Sequence, residues 1–267
     1  MKKLPVELLF QILSLLTAFI LIHGTYITLI RPQADAFLAR EQAILAENPK
    51  HEQPQNFYVT LRDYEQETCL ILMLWALCIL AYKGTTVYRQ QRQLDVDLLQ
   101  LPEGLPIGPE DTRELKNRLD ELPAADRYFL LPRALSTAIG RFAATRNVQD
   151  SATALRSVCE SEGERLESEL STIRYIAWAI PSVGFIGTVR GIGAALAQAN
   201  RAVEGDITGV TQNLGIAFNS TFIALVISIV LMFFIHQLQL RQERLVLNTE
   251  SYCDQHLISR LRTHPQD

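Results

Sequence analysis

Residues 180–198 read IPSVGFIGTVRGIGAALAQ, an apolar stretch opened by Pro181 and carrying Gly184, Gly187, Gly191 and Gly193. Together with Ala177 and Ala195, the residues Pro181, Gly184, Thr188 and Gly191 recur at alternating steps of four and three. That spacing places them on one face of a helix. No large side chain interrupts this face. In lipid, where no hydrophobic drive pushes helices together, a stripe of small residues lets two backbones pack directly against each other. A second helix is therefore expected to face it, and residues 210–235 supply the candidate. Here Asn213, Ala217, Ser220 with Thr221, Ala224 and Ser228 repeat the same spacing. Thr188 and Thr221 each fall near the middle of their run, so a helical hairpin brings two hydroxyls to similar depth.

Working outward, two further apolar segments appear, at residues 8–30 and, more weakly, 68–82. A bilayer crossing takes about 20 apolar residues, so the second segment needs residues 84–87 and a snorkelling Lys83 to complete it. The formal net charge of -4 is an average that hides four apolar runs in a polar background. The chain is predicted to be an all-α polytopic membrane protein with four transmembrane helices and a helical cytoplasmic domain. A cleavable signal peptide is disfavoured because residues 4–30 exceed the roughly 7 to 15 residues of a signal core. Arg and Lys crowd residues 83–174, whereas acids outnumber bases in residues 31–67. By the positive-inside rule both termini lie in the cytoplasm.

This divides the chain into the N-terminus and first span (1–30), an external loop (31–67) and the second span (68–87). A cytoplasmic helical region (88–173) leads to the third span (174–200), an external turn (201–209), the fourth span (210–237) and a cytoplasmic C-terminal helix (238–267). Within the cytoplasmic region a helical tail is expected to run to Gln100, and an elbow rich in proline and glycine follows at residues 101–109. Asp111 with Glu114 fits a capping box. Residues 150–172 are expected to run straight into the third span. Charged residues such as Arg113, Lys116 and Arg127 read as a solvated face.

The chemistry excludes more than it offers. There is no HExxH, no GxSxG, no phosphate loop and no clustered cysteine and histidine, so no catalytic residue, metal site or nucleic-acid surface is expected. Cys69, Cys78, Cys159 and Cys253 form no paired motif. What remains lies in the membrane. Thr188 and Thr221 serve packing, or else line a narrow polar path, a reading that Asn219 and Ser220 beside Thr221 strengthen. Pro181 leaves one backbone carbonyl without its usual donor, which either kinks the helix or offers a ligand. Gly184, Gly187, Gly191, Ala195, Ala217 and Ala224 are the packing residues. Arg190 points away from the small-residue stripe, about 200° from Thr188. An arginine there costs about 2.5 to 3.5 kcal/mol on insertion scales and needs a partner. Glu65 or Glu67, at the outer end of the second span, is expected to provide it, with Arg190–Glu67 as a membrane ion pair. No acid lies within the four apolar runs. If protons move here, another chain supplies the carboxylate. His23 and His236 sit towards span ends and read as interfacial.

Pro181, Gly184, the Gly187-Thr188-Val189 run, Gly191-Ile192 and then Ala217 and Thr221 in a following span resemble the MotA/TolQ/ExbB proton-channel family. The match covers about residues 174–246. It implies an inner-membrane subunit that forms a homo-oligomeric ring, a pentamer in the family. The ring surrounds single-span partners of the ExbD, TolR or MotB kind, and these carry an essential membrane aspartate. Ion flow then does mechanical work across the envelope. Thr188 and Thr221 would be the channel-lining threonines and Pro181 the membrane proline, with no cofactor beyond the transported proton or sodium. Four spans resemble the flagellar-stator branch, whereas GTV resembles the transport branch. Ile216 stands where transport members often carry a glutamate. The competing expectations are a non-conducting scaffold that uses the glycine stripe only for assembly, and a transporter permease, which would show internal repeats.

Overall fold

The computed structural model describes residues 6–47, 54, 56–99, 106–203 and 205–262. Lys2, Lys3 and the first part of the expected elbow lie outside them. Among the described residues the regular structure is all helical, with one isolated bridge pairing Ile107 with Leu261. Four helices are long and apolar enough to cross a membrane. The chain is an all-α polytopic membrane protein. Its contacts divide it into two compact units, one of Met1–Ala81 with Thr172–Ile235, the other of Tyr82–Ser171 with His236–Asp267.

In the first unit, α1 (Val6–Thr25) passes through a single π-helical turn (Tyr26–Ile30) into α2 (Arg31–Glu47). The first apolar run is thus the start of a much longer helix that continues into the expected external loop. A short α3 (Phe57–Leu61) is capped by Asn56, whose side chain accepts the Tyr58 N–H at 2.8 Å. Then comes α4 (Tyr64–Gln93), which begins at the acids and so is longer than its apolar core. The third apolar helix, α9 (Ser171–Leu196), contains Pro181. After α10 (Ala199–Val203), α11 (Thr208–His256) continues without a break for 49 residues. Large apolar side chains point outward all along these helices, Leu13, Phe185, Phe218 and Ile229 among them. An aqueous surface would not tolerate so continuous an apolar coat, but lipid solvates it.

The second unit is built the other way, with polar residues outside. Its core gathers Leu115 and Leu119 of α5 (Thr112–Asp120), a broad face of α7 (Leu130–Thr145), Leu155 and Cys159 of α8 (Val148–Glu169), and Cys253 and Leu257. A short α6 (Ala124–Arg127) precedes α7. The tight α7–α8 corner uses Arg146 in the left-handed region, φ 52°, followed by Asn147, which caps α8 through the Gln149 and Asp150 N–H groups. Burial pushes the Cys159 thiol up to about 11, and it raises Cys253 as well. Both thiols are therefore inert at neutral pH.

Several expectations change here. The helical tail stops at Gln93 rather than Gln100, because Leu94 and Asp95 form a turn. Asp111 and Glu114 do not form a capping box. The Asp111 carboxylate accepts the Gly108 N–H at 2.8 Å instead, and Glu114 pairs with Arg118 at 2.7 Å. Lys83 does not snorkel to solvent; it is buried and donates to Glu169 at 2.9 Å, where a paired ammonium can stay out of water. Residues 150–172 do run into the third span as expected, in one helix over Val148–Leu196 with only Leu170 in a turn.

Candidate functional site

The small-residue faces of α9 and α11 meet within the first unit. A Cβ placed on Gly184 would fall on the Ala224 methyl and reach the Ser220 carbonyl oxygen at 3.1 Å. One on Gly191 would meet the Ala217 Cβ at 2.7 Å and the Asn213 carbonyl oxygen at 2.9 Å. All four of these neighbours are backbone or Cβ atoms that no rotamer change can move. Glycine at 184 and 191 is what permits the approach. Ala177, Ala195, Ala217 and Ala224 complete the buried seam.

At its middle the Thr188 and Thr221 hydroxyls touch each other. Thr188 Oγ1 also lies 3.2 Å from the Ala217 carbonyl oxygen and 3.3 Å from that of Gly184, and Thr221 donates across to the same Gly184 oxygen at 3.3 Å. Two hydroxyl hydrogens are thus shared among two carbonyl oxygens and the hydroxyl–hydroxyl contact. Self-bonding within one helix does not describe this arrangement, since each threonine reaches the opposite helix. The result is a polar spot, half-buried, between otherwise apolar faces.

Pro181 behaves as its chemistry requires. Lacking an N–H, it leaves the Ala177 carbonyl unbonded within α9, and the Ser228 hydroxyl of α11 donates to that oxygen at 3.0 Å. The proline's open carbonyl is therefore satisfied from the neighbouring helix. Ser220, fully buried, accepts a hydrogen bond from Gln66 Nε2 of α4 at 3.2 Å, and Gln66 also donates to the Thr60 carbonyl at 3.2 Å. Asn219 stands apart, half-buried, and makes no side-chain hydrogen bond among the described residues.

Arg190 reaches Glu65, donating from Nε at 2.7 Å and from a terminal nitrogen at 2.8 Å, with Asp63 at 3.6 Å. This corrects the Arg190–Glu67 pairing. Residues 65 and 67 are about 200° apart on α4, so only one can face α9. Glu67 turns instead to His23 and Arg31, each at 2.5 Å. Arg31 in turn lies over the Tyr64 ring at 4.3 Å. Burial raises the Asp63 carboxyl above its ordinary value, against the pull of Arg190.

Residues 129–251 match the model of the MotA/TolQ/ExbB proton channel family. Over that stretch, a little under half of its length, the chain is similar to that family. No individual curated protein and no solved structure matches it. The matched stretch contains the whole α9–α11 seam, both threonines and Pro181, while Gln66, Glu65 and Glu67 lie outside it. The match supports, in general terms, a subunit of the proton-channel class.

Gln66 was not legible as a functional feature, and for the carbonyl that Pro181 opens, that of Ala177, no donor was foreseen. A signal existed for Gln66: with Cys69, Ala76, Ile79, Lys83 and Val87 it continues the buried stripe of α4 at helical spacing. A glutamine on a buried stripe asks for a partner.

Proposed function

We propose that this chain is the ion-conducting subunit, for protons or sodium, of a motor-type complex in the bacterial inner membrane. Several copies, five in the family pattern, would ring a single-span partner whose membrane aspartate carries the ion. Flow past the ring would drive mechanical work or biopolymer transport across the envelope. The contact between the Thr188 and Thr221 hydroxyls carries this reading. It offers oxygen ligands in an apolar span, and the chain's four apolar runs contain no acid, so the titrating carboxylate belongs to the partner. Ser220 extends the polar spot, and Pro181 holds the helix geometry beside it. Asn219 joins the path only in the assembled ring. The 13 Arg and Lys of residues 83–174, against four in residues 31–67, support a cytoplasmic location for both termini.

The test is ion flux into membrane vesicles from cells carrying the gene at its native locus, measured above the background of a deletion strain. Thr188→Val and Thr221→Val keep the side-chain shape and remove the hydroxyl. Flux is expected to fall at least tenfold in each while the complex still assembles. An assembled wild type that conducts no more than the deletion strain would leave the scaffold reading in place, with the hydroxyls serving packing alone.

A further inference from the structure

We propose that Gln66 of the second span, together with Ser220, forms an ion-transfer site between the Thr188–Thr221 pair and the acidic end of the membrane unit. The site would take a protonated water or a small monovalent cation. This rests on the ion-conducting reading above and adds to it a helix that lies outside the family-matched segment.

Four observations converge. Gln66 is 1% exposed, and both hydrogens of its amide nitrogen are directed, one to Ser220 Oγ and one to the Thr60 carbonyl. Its carbonyl oxygen Oε1 is fully buried and has no hydrogen-bond partner. Turning the amide over would not help, because the oxygen would then face the Thr60 carbonyl. A buried acceptor left unmet is costly, and the groups that can meet it are a water, a hydronium or a cation. The position is also electrostatically suited to positive charge, since the side chain emerges between Glu65 and Glu67 on α4, with Asp63 beside Arg190.

The third observation is Gly187. A Cβ at that position would come within 2.6 Å of the Ser220 Cβ, 2.7 Å of its Oγ and 3.2 Å of the Glu65 Cγ. Its missing side chain is what lets Ser220 of α11 and Glu65 of α4 converge on α9. The fourth is proximity. Gly187 and Ser220 are the chain neighbours of Thr188 and Thr221, so the Gln66–Ser220 bond lies one residue along α9 and α11 from the hydroxyl pair. Ser220 accepts from Gln66 and keeps its own hydrogen to donate, as a relay requires.

The carboxylates at this end are not idle counter-charges. Glu65 and Asp63 engage Arg190, and Glu67 engages Arg31 and His23. Arg190 thereby holds the acidic end in place while Oε1 of Gln66 remains the unengaged acceptor.

The experiment compares Gln66→Leu, Gln66→Glu and Ser220→Ala in the native-locus vesicles, with a pH-sensitive dye and a sodium-sensitive dye as separate arms, and assembly followed by cross-linking. Gln66→Leu and Ser220→Ala are expected to lower flux at least tenfold in whichever arm the wild type conducts. Gln66→Glu keeps an acceptor oxygen and adds a titratable group. It is expected to retain flux and to add to the pH profile of flux a second titration that the wild type lacks. Where Gln66→Leu fails to assemble, Ser220→Ala decides. Assembled Ser220→Ala and Gln66→Leu conducting within twofold of wild type would overturn the transfer site and leave the channel reading intact. A wild type no more conductive than the deletion strain overturns both.

Discussion

Two regions of this protein solve the packing problem with opposite materials. The core of the second unit is filled by Leu115, Leu135, Ile139, Phe142 and Leu155, all nearly inaccessible. The α9–α11 seam is instead assembled from Gly184, Gly191, Ala217 and Ala224, while its large side chains point away. Water makes the first solution favourable, because each buried leucine or phenylalanine leaves an aqueous surface for an apolar one. Lipid removes that gain. There, what remains is dispersion between closely approaching backbones and a few hydrogen bonds, so the helices shed their side chains at the contact. The same chain therefore uses size where water drives burial and absence of size where it does not.

The comparison can be broken at three points, taken here from the largest effect to the smallest. Phe142 is completely buried in the second unit, and Phe142→Ala removes a ring and leaves a cavity. The expected loss is about 3 to 5 kcal/mol, read by denaturant unfolding in detergent. A loss below about 1 kcal/mol would mean that this core is not organised around its large side chains. In the seam the opposite change matters. Gly184→Ala adds one methyl group against Ala224 and the Ser220 carbonyl, and is expected to cost about 1 to 3 kcal/mol through overpacking. Gly193→Ala is the control, since nothing lies within 4 Å of a Cβ there. Equal effects at the two glycines would show that the contact tolerates separation and that small size is not its basis.

How far these features could be read beforehand follows from the same physics. Four apolar helices, the two small-residue stripes and the mid-span threonines are periodic, and periodicity survives in a sequence because each helix imposes it on its own residues. Thr188 and Thr221 at matching depth needed only that rule. Which acid Arg190 would choose did not follow, because the choice between Glu65 and Glu67 depends on the rotation of α4 about its axis, a property set by the neighbours and not by α4 itself. The Gln66–Ser220 bond, 154 residues apart in sequence, is of the same kind. The failed capping box at Asp111 is more local. The side chain had two nearby backbone donors to choose between, and took the Gly108 N–H that the turn presented.

The smallest effect tests the sharpest feature of the seam, the pairing of Pro181 with Ser228 through the Ala177 carbonyl. Ser228→Ala removes the only hydroxyl that reaches this oxygen among the described residues. An interhelical hydrogen bond in a membrane contributes about 0.6 kcal/mol on average and up to about 1.7. The loss in a Pro181 background should lie in that range or slightly above, because Ala177 is buried and its carbonyl would be left unmet. Pro181→Ala restores an N–H four residues after Ala177 and lets α9 satisfy the carbonyl internally. Ser228→Ala should then cost much less, giving a positive coupling of about 0.6 to 1.7 kcal/mol in a double-mutant cycle measured by unfolding in mixed micelles. Additive losses would mean that proline and serine act separately, the proline by bending α9 and the serine by its size. A coupling of the expected size would show that α11 supplies the hydrogen bond that the proline removes, which is how a helix can keep a proline in mid-membrane without leaving its backbone open to lipid.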